Sequence, residues 1–273
     1  MGSTTEPAPQ PLRIATLNVY GRHADWPGRR DVLAAGLRRT APQLVAFQEV
    51  IADGRYDQVA DILGDGYHVA HHSRRQPDGL GISVASRWPF QWVHEIPMPV
   101  TPRSGDFGYS ALAAELVSPF GSLVLVNHFP DWQRGHEYER EQQTVAAAGF
   151  VERLVGVRPA HVVLAGDLDA TPDAATIRFW TGRQSLGGLS VCYRDTWSAV
   201  RGPEPGHTFT RENPLVSDEW TDETGRRIDY LLVRCDDHGP TLRIAAAYRI
   251  FDKPEDGIQG SDHYGVCTEL APW

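Results

Sequence analysis

Cysteine is scarce in this chain of 273 residues: Cys192, Cys235 and Cys267 are an odd number, and no two form a C-x-x-C pair. A disulfide scaffold and a zinc ribbon are therefore not expected. Cys267, which alternates with strand-like neighbours, reads as a small buried hydrophobe. Long apolar runs are missing too, and none reaches the ~18 residues that a membrane span needs. Met1 to Pro11 is polar, carries three prolines and has no apolar core of a signal, so it reads as a disordered leader to a single domain over 12–273. A reducing, cytoplasmic setting is the expectation. Basic runs are also absent: Arg38-Arg39, Arg74-Arg75 and Arg226-Arg227 are isolated pairs in a chain of net charge −9. A protein that grips duplex nucleic acid normally shows a basic face, so the nuclease reading is weakened. It survives because a bound cation can supply positive charge locally.

What the chain does have is a globular balance, 41% hydrophobic and 22% charged, with eight Trp and nine Phe to fill a sizeable core. Leu12 to Val19 reads as a strand, and Pro27 to Thr40 as a helix with Val32, Leu33 and Leu37 on its apolar face and four arginines elsewhere. Short apolar runs at 43–47, 81–86, 91–96 and 161–165 read as further strands, with a short helix over 56–63. Residues 111–117 and 122–127 form a hairpin across Ser118 to Gly121. The longest helix is expected from His136 to Val155. Thr171 and Pro172 read as the N-cap and first residue of another. Residues 196–226 read as a long loop, and 227–234 and 264–270 close the chain as strands. No internal repeat or linker divides the sequence. Partial strand–helix alternation, interrupted by hairpins, predicts an α/β sandwich with mixed sheets.

One pattern recurs along the strands: an apolar run ends in a side chain that can bind metal or titrate. It does so at Asn18, Glu49, His128 and Asp167, with Asp169 two residues on. Asp229 interrupts the apolar run Ile228 to Val233, and Asp262-His263 precedes the last strand. Ends of neighbouring strands lie side by side, so such groups can converge on one pocket. Each alone has a plain explanation. Asn18 can bond its own backbone, Gly166-Asp167 is a common turn pair, and a single buried histidine is usually structural. Together, five carboxylates cannot share a partly buried site without a cation, because repulsion would force several to hold protons. Oxygen-rich ligation suits Mg²⁺, Mn²⁺ or Ca²⁺. Such an ion binds phosphoryl oxygens and lowers the pKa of bound water.

The order and local contexts of these residues resemble the endonuclease/exonuclease/phosphatase superfamily, with its deoxyribonuclease-I-like fold. The matching segments are Ala15 to Val19, Val45 to Val50, Leu125 to Phe129, Leu164 to Ala170, Arg227 to Leu231 and Gly260 to His263. Gly81 to Pro89 and His207 to Thr210 add two weaker matches, so the likeness covers nearly the whole chain. It implies a four-layer α/β sandwich, two face-to-face mixed β-sheets flanked by helices. It also implies roles. Asn18, Glu49 and Asp262 would hold the metal, and Asp167 would orient or deprotonate the attacking water. His263, paired with Asp229, would be the general base or phosphate-stabilising imidazole. His128 would contact the phosphoryl oxygens or assist the leaving group. Thr208, beside His207, belongs to the recognition loop.

Two positions depart from the family pattern. Asp169 stands where the family usually has Asn, which replaces a possible donor with an acceptor in a crowded anionic site. A second cation at Asp167 and Asp169, a retained proton, or a less anionic substrate would each accommodate it. Near Gly108 to Ala111 the family often places an arginine; Tyr109 stands here, and Arg103 is a possible substitute. The rim loops, 100–109, 132–138 and 201–220, offer Trp132, His136, His207 and Trp220 as substrate contacts. The expected activity is hydrolysis of a phosphoester in a small phosphorylated molecule, lipid headgroup or nucleotide, dependent on Mg²⁺ or Mn²⁺. A nuclease with the same site, or a repurposed non-hydrolytic domain, are the alternatives.

Overall fold

The computed structural model describes residues 10–98, 101–104, 109–216 and 220–273. Most of the expected N-terminal leader, and residues 100, 105–108 and 217–219 of the rim loops, lie outside them. The chain begins with strand β1 (Leu12–Asn18), helix α1 (Trp26–Thr40), strand β2 (Leu44–Ile51) and helix α2 (Gln58–Leu63). Strands β3 (His68–His71), β4 (Leu80–Ser86) and β5 (Phe90–Ile96) follow, then the hairpin of β6 (Ser110–Ser118) and β7 (Gly121–Phe129). Next come α3 (Glu137–Val157), β8 (His161–Asp167), α4 (Ala175–Trp180), β9 (Tyr193–Asp195) and α5 (Thr196–Arg201). The last strands are β10 (Asp229–Asp236), β11 (Gly239–Pro240), β12 (Arg243–Ile250) and β13 (Gly265–Ala271). Among the described residues no helix is long and apolar enough to cross a membrane.

The strands form two mixed sheets. One runs β12-β13-β1-β2-β4-β3, and the other β11-β10-β8-β7-β6-β5 with β9 paired to β10. Among the described residues, β1–β2 and β7–β8 are the pairs that run parallel, joined through α1 and α3, as parallel neighbours require a crossover. Alternation along each strand divides the apolar residues among three cores. Ile14, Ala46, Leu125, Ala165 and Leu231 pack between the sheets. Leu17, Val45 and Phe47 face α1 and α2, and Val126, Leu164 and Leu232 face α3 and α4. The four-layer sandwich expected from the resemblance is what forms.

Three local expectations are corrected. Arg29 does not stand apart with the other arginines of α1. It is 1% exposed, one turn before Leu33 on the buried face, because backbone carbonyls at the ends of β1 and the last loop receive its guanidinium. Thr171 and Pro172 open a turn and no helix: the Thr171 hydroxyl donates to Asp173, and α4 starts at Ala175 without a side-chain cap. The stretch expected as one loop from residue 196 begins with α5, whose N-cap is Asp195.

Candidate active site

Asn18, Asp167 and Asp229 end or begin strands whose inward positions lie between the sheets, so alternation alone brings them to one end of the sandwich. Asp167 and Asp229 are direct partners in the β8–β10 ladder. Glu49 arrives differently. Regular alternation would send it to the helical side with Val45 and Phe47. A β-bulge between Phe47 and Val50 breaks the register, and Glu49 adopts φ 52° within it. Bulges re-aim side chains in this way. Asn127 stabilises the break: its amide donates to Phe47 O at 2.8 Å and Ser83 O at 2.9 Å, and its carbonyl accepts from Gln48 Nε2 at 2.7 Å. Neither Asn127 nor Gln48 was read as a site residue from sequence; a polar pair inside two apolar strands was the available signal.

Asn18 Nδ2 donates to Glu49 Oε1 at 3.0 Å and Asp167 Oδ2 at 3.1 Å, bridging two carboxylates. His263 Nδ1 lies 2.9 Å from Asp229 Oδ2, and its Nε2 lies 3.7 Å from Asp167 Oδ2. Ser261 fixes the turn that carries Asp262 and His263: its hydroxyl donates to Asn18 O at 2.7 Å and accepts from His263 N. Asn213 Nδ2 holds the Ser261 and Asp262 carbonyls, and Arg29 Nε holds Gly260 O. Thr208 Oγ1 accepts from the backbone N–H groups of Ile228 and Asp229. Gly166 has φ 154°, and a Cβ there would sit 1.9 Å from His128 O, so β8 can approach β7 only with glycine.

The electrostatics are those of a buried cluster in which carboxylates outnumber the one imidazole among them. Burial, reinforced by Asp262, pushes the Glu49 carboxyl up to about 7. Burial also pushes Asp167 up to about 6, with Asp229 adding to the rise and His263 opposing it. Burial and the neighbouring Asp167 hold Asp169 well above the carboxylate range. Burial would depress the His263 imidazole, yet Asp229 and Asp167 outweigh it and raise it well above its ordinary value. Oδ1 of Asp229 is buried without a hydrogen-bond partner. Ligand atoms of Asp167, Asp229 and His263 lie within 4.8 Å of one another. A hard divalent cation fits this oxygen-rich set, since it would relieve the repulsion that otherwise keeps protons on the carboxylates.

A cavity of about 140 Å³ opens over the cluster, lined by Glu49, Asp167, Asp169, Asp262 and His263 and rimmed by Trp132, Phe209, Trp220 and Arg226. The other expected site residues are elsewhere. His128 is wholly buried on the helix-facing side of β7, edge-on to Trp180 at 6.4 Å, and outside the cavity lining. Its pKa falls to about 3 through burial, so it is neutral. Thr208 is buried and spends its hydroxyl on the Asp229 strand start. Tyr109 is buried, and its hydroxyl donates to Ser104 O. Arg103 reaches Gly135 O at 2.8 Å and ties loop to loop. His207 packs against Gly225, and His136 pairs with Asp131 at 3.0 Å. Of the four loop contacts expected, Trp132 and Trp220 line the cavity.

A sequence profile of the Endonuclease/Exonuclease/phosphatase family matches residues 15–263. Human sphingomyelin phosphodiesterase 2 is 26% identical over 246 residues, covering 82% of this chain and 56% of that protein, so the chain spans about half of that relative. Exodeoxyribonuclease III of Haemophilus influenzae is 25% identical over 291 residues, covering 95% of this chain and all of that one. Among solved structures, D. rerio TDP2 complexed with a single strand DNA product superposes with a TM-score of 0.74. It is 21% identical, with 95% of this chain and 98% of that one covered.

Proposed function

The chain belongs to the endonuclease/exonuclease/phosphatase family, whose members hydrolyse phosphoesters, and from that premise we propose that it cleaves a phosphoester in a small molecule. The observation that carries this reading is the cavity. It brings Glu49, Asp167, Asp169, Asp262 and His263 together beneath a rim of Trp132, Phe209 and Trp220. The neighbouring arginines are already committed: Arg226 and Arg134 pair with Glu223, and Arg140 pairs with Glu137. A nucleic-acid duplex would need uncommitted cations along its backbone.

Glu49 and Asp262 would hold a divalent cation, Mg²⁺ or Mn²⁺ by the hardness of the donors, and Asn18, whose Oδ1 accepts from Tyr20 N, would position Glu49 beside it through Nδ2. When bound the cation would lower the pKa of water and offset phosphoryl charge. Asp167 faces the same space and is placed to orient the nucleophilic water. His263, held by Asp229, can accept or return a proton at Nε2, the ring nitrogen left free by the dyad. Asp169 shares the cavity with Asp167 and adds a carboxylate that a second divalent cation would neutralise. Three cysteines with no disulfide partner support a cytoplasmic location.

Hydrolysis of a panel of phosphomonoesters and phosphodiesters, with Mg²⁺ or Mn²⁺, tests the reading. The expected result is turnover that chelation abolishes and that His263→Ala lowers by about 100-fold or more. If wild type and variant are equally inert on every substrate, hydrolysis is excluded. Anomalous scattering from Mn²⁺-soaked crystals tests the second cation: two peaks are expected, and one after Asp169→Asn.

A further inference from the structure

We infer that Cys192 and Cys235 form an oxidisable dithiol, a modification site that small-molecule disulfides such as oxidised glutathione convert to an intrachain disulfide. The closed bond staples the segment that walls one side of the catalytic cavity. The inference is independent of the phosphoester reading above. It starts from register. β9 and β10 are antiparallel, with Asp195 opposite Leu232, Arg194 opposite Val233 and Tyr193 opposite Arg234. One step further Cys192 stands opposite Cys235, and Cys235 N donates to Cys192 O at 2.9 Å. Opposed residues of such a pair share a face of the sheet, with Cα atoms about 5.5 Å apart where the backbones are hydrogen-bonded. Disulfides span that same Cα separation, so the bond needs no change of register. β9 pairs with β10 alone among the described strands, which leaves it free to make the small approach of Cβ atoms that closure requires.

The two thiols differ in a way that orders the reaction. Cys192 is exposed and meets the oxidant first, whereas Cys235 is buried. Burial, and then the charge and hydrogen bond of Cys192, push the Cys235 thiol up to about 12. Cys192 sulfur attacks one sulfur of the small disulfide and expels a thiolate, leaving a mixed disulfide. Cys192 can then carry no charge, which removes one of the causes that hold the proton on Cys235. Cys235 sulfur attacks the Cys192 sulfur, gives its proton to water and expels the second thiolate. Two electrons and two protons leave the protein, and the oxidant is recovered as two thiols. Cys267 cannot compete, because it is buried in the other sheet opposite Ala15 and Tyr248.

The position of the pair gives the bond its consequence. Residues 193–234, which it would enclose, supply Phe209, Trp220, Arg226 and Ile228 to the cavity lining, and Asp229 to the pairing with His263. They also contain Asp195, which caps α5 and pairs with Arg227 two residues before Asp229. In a reducing compartment the pair stays as thiols; an oxidising one closes it and restrains the base of this wall.

Incubation of the full-length protein with oxidised or with reduced glutathione tests this, followed by alkylation, digestion without reductant and mass spectrometry. The expected product is a Cys192–Cys235 linked peptide, with Cys267 alkylated. The oxidised wild type should melt about 5 °C or more above the reduced one, and dithiothreitol should reverse the gain. Cys192→Ser, at an exposed position, should melt within about 2 °C of the reduced wild type in both buffers and yield no linked peptide. Cys192 found capped by glutathione with Cys235 still a thiol would overturn the inference. So would Cys192 joined to Cys192 of a second molecule, or a linked pair that leaves the melting temperature unchanged.

Discussion

At the scale of single residues, the two histidines of the sequence pattern have opposite electrostatic fates. His263 lies between Asp229 and Asp167 and favours its proton, whereas His128 sits in a pocket that offers neither ring nitrogen a partner. His128 therefore stays neutral down to about pH 3 in the folded state, against an ordinary value near 6.5. A depressed histidine contributes stability that is complete above the unfolded value and is lost as pH falls toward the folded one. His128→Phe should melt progressively higher relative to wild type as pH is lowered from 7 to 4. A difference in melting temperature that is flat across that range would refute this. Glu49 carries the opposite sign, because its folded value of about 7 lies above the unfolded value of 4.5. Its protonated form stabilises the metal-free fold below pH 4.5, and that contribution disappears as pH rises through 7. A cation bound there must displace the proton. Mn²⁺ affinity, measured by calorimetry in buffers of different ionisation heat, should weaken steadily below pH 7 with net proton release. Affinity independent of pH from 5.5 to 8 would show that Glu49 is no ligand.

At the scale of elements, the bulge in β2 is what converts a strand into a site. Asn127, wholly buried, donates to the carbonyls of Phe47 and Ser83, the last register pair before the shift. Asn127→Ala should cost about 2–3 kcal/mol in urea denaturation, the penalty for stranding buried acceptors. A cost below about 0.5 kcal/mol would mean that the bulge holds itself. The bulge also shows where sequence stopped being informative. Glu49 was legible as a strand-end carboxylate, yet β2 continues to Ile51, and only the register shift explains why its side chain turns inward. β3 and β12 escaped notice because their exposure is mixed, and with it the alternation that marks a strand is blurred. Asp169 has φ 47°, a backbone region that Asn and Asp tolerate better than other L-residues, so the exchange with the family's Asn leaves the backbone undisturbed and changes only charge.

At the scale of the whole molecule, the family resemblance carried by the ordered polar strand ends anticipated the four layers, and Asn18, Glu49, Asp167, Asp229, Asp262 and His263 lie together at one end of the sandwich. The loop residues were not legible in the same way. Thr208, Tyr109 and Arg103 have the chemistry of substrate contacts, but each bonds backbone instead, Tyr109 within its own loop, Arg103 at Gly135 and Thr208 at the start of β10, a demand invisible without tertiary structure. The same reasoning applies to charge. A net charge of −9 repels polyanions at a distance, and Arg134, Arg140 and Arg226, which line the cleft, pair with Glu137, Asp222 and Glu223. A duplex-binding enzyme that contacts 6 to 10 phosphates loses about 10³ to 10⁵ in affinity between 50 and 200 mM salt. This protein should show less than about tenfold loss for a single-stranded oligonucleotide over that range, because few counterions are released when only one phosphoryl group meets the site. Fluorescence anisotropy with labelled oligonucleotides in Ca²⁺, across a series of NaCl concentrations, measures the slope. A steep slope with submicromolar binding at low salt would return the nuclease reading to first place, since it would reveal a track of cations that the paired arginines do not provide.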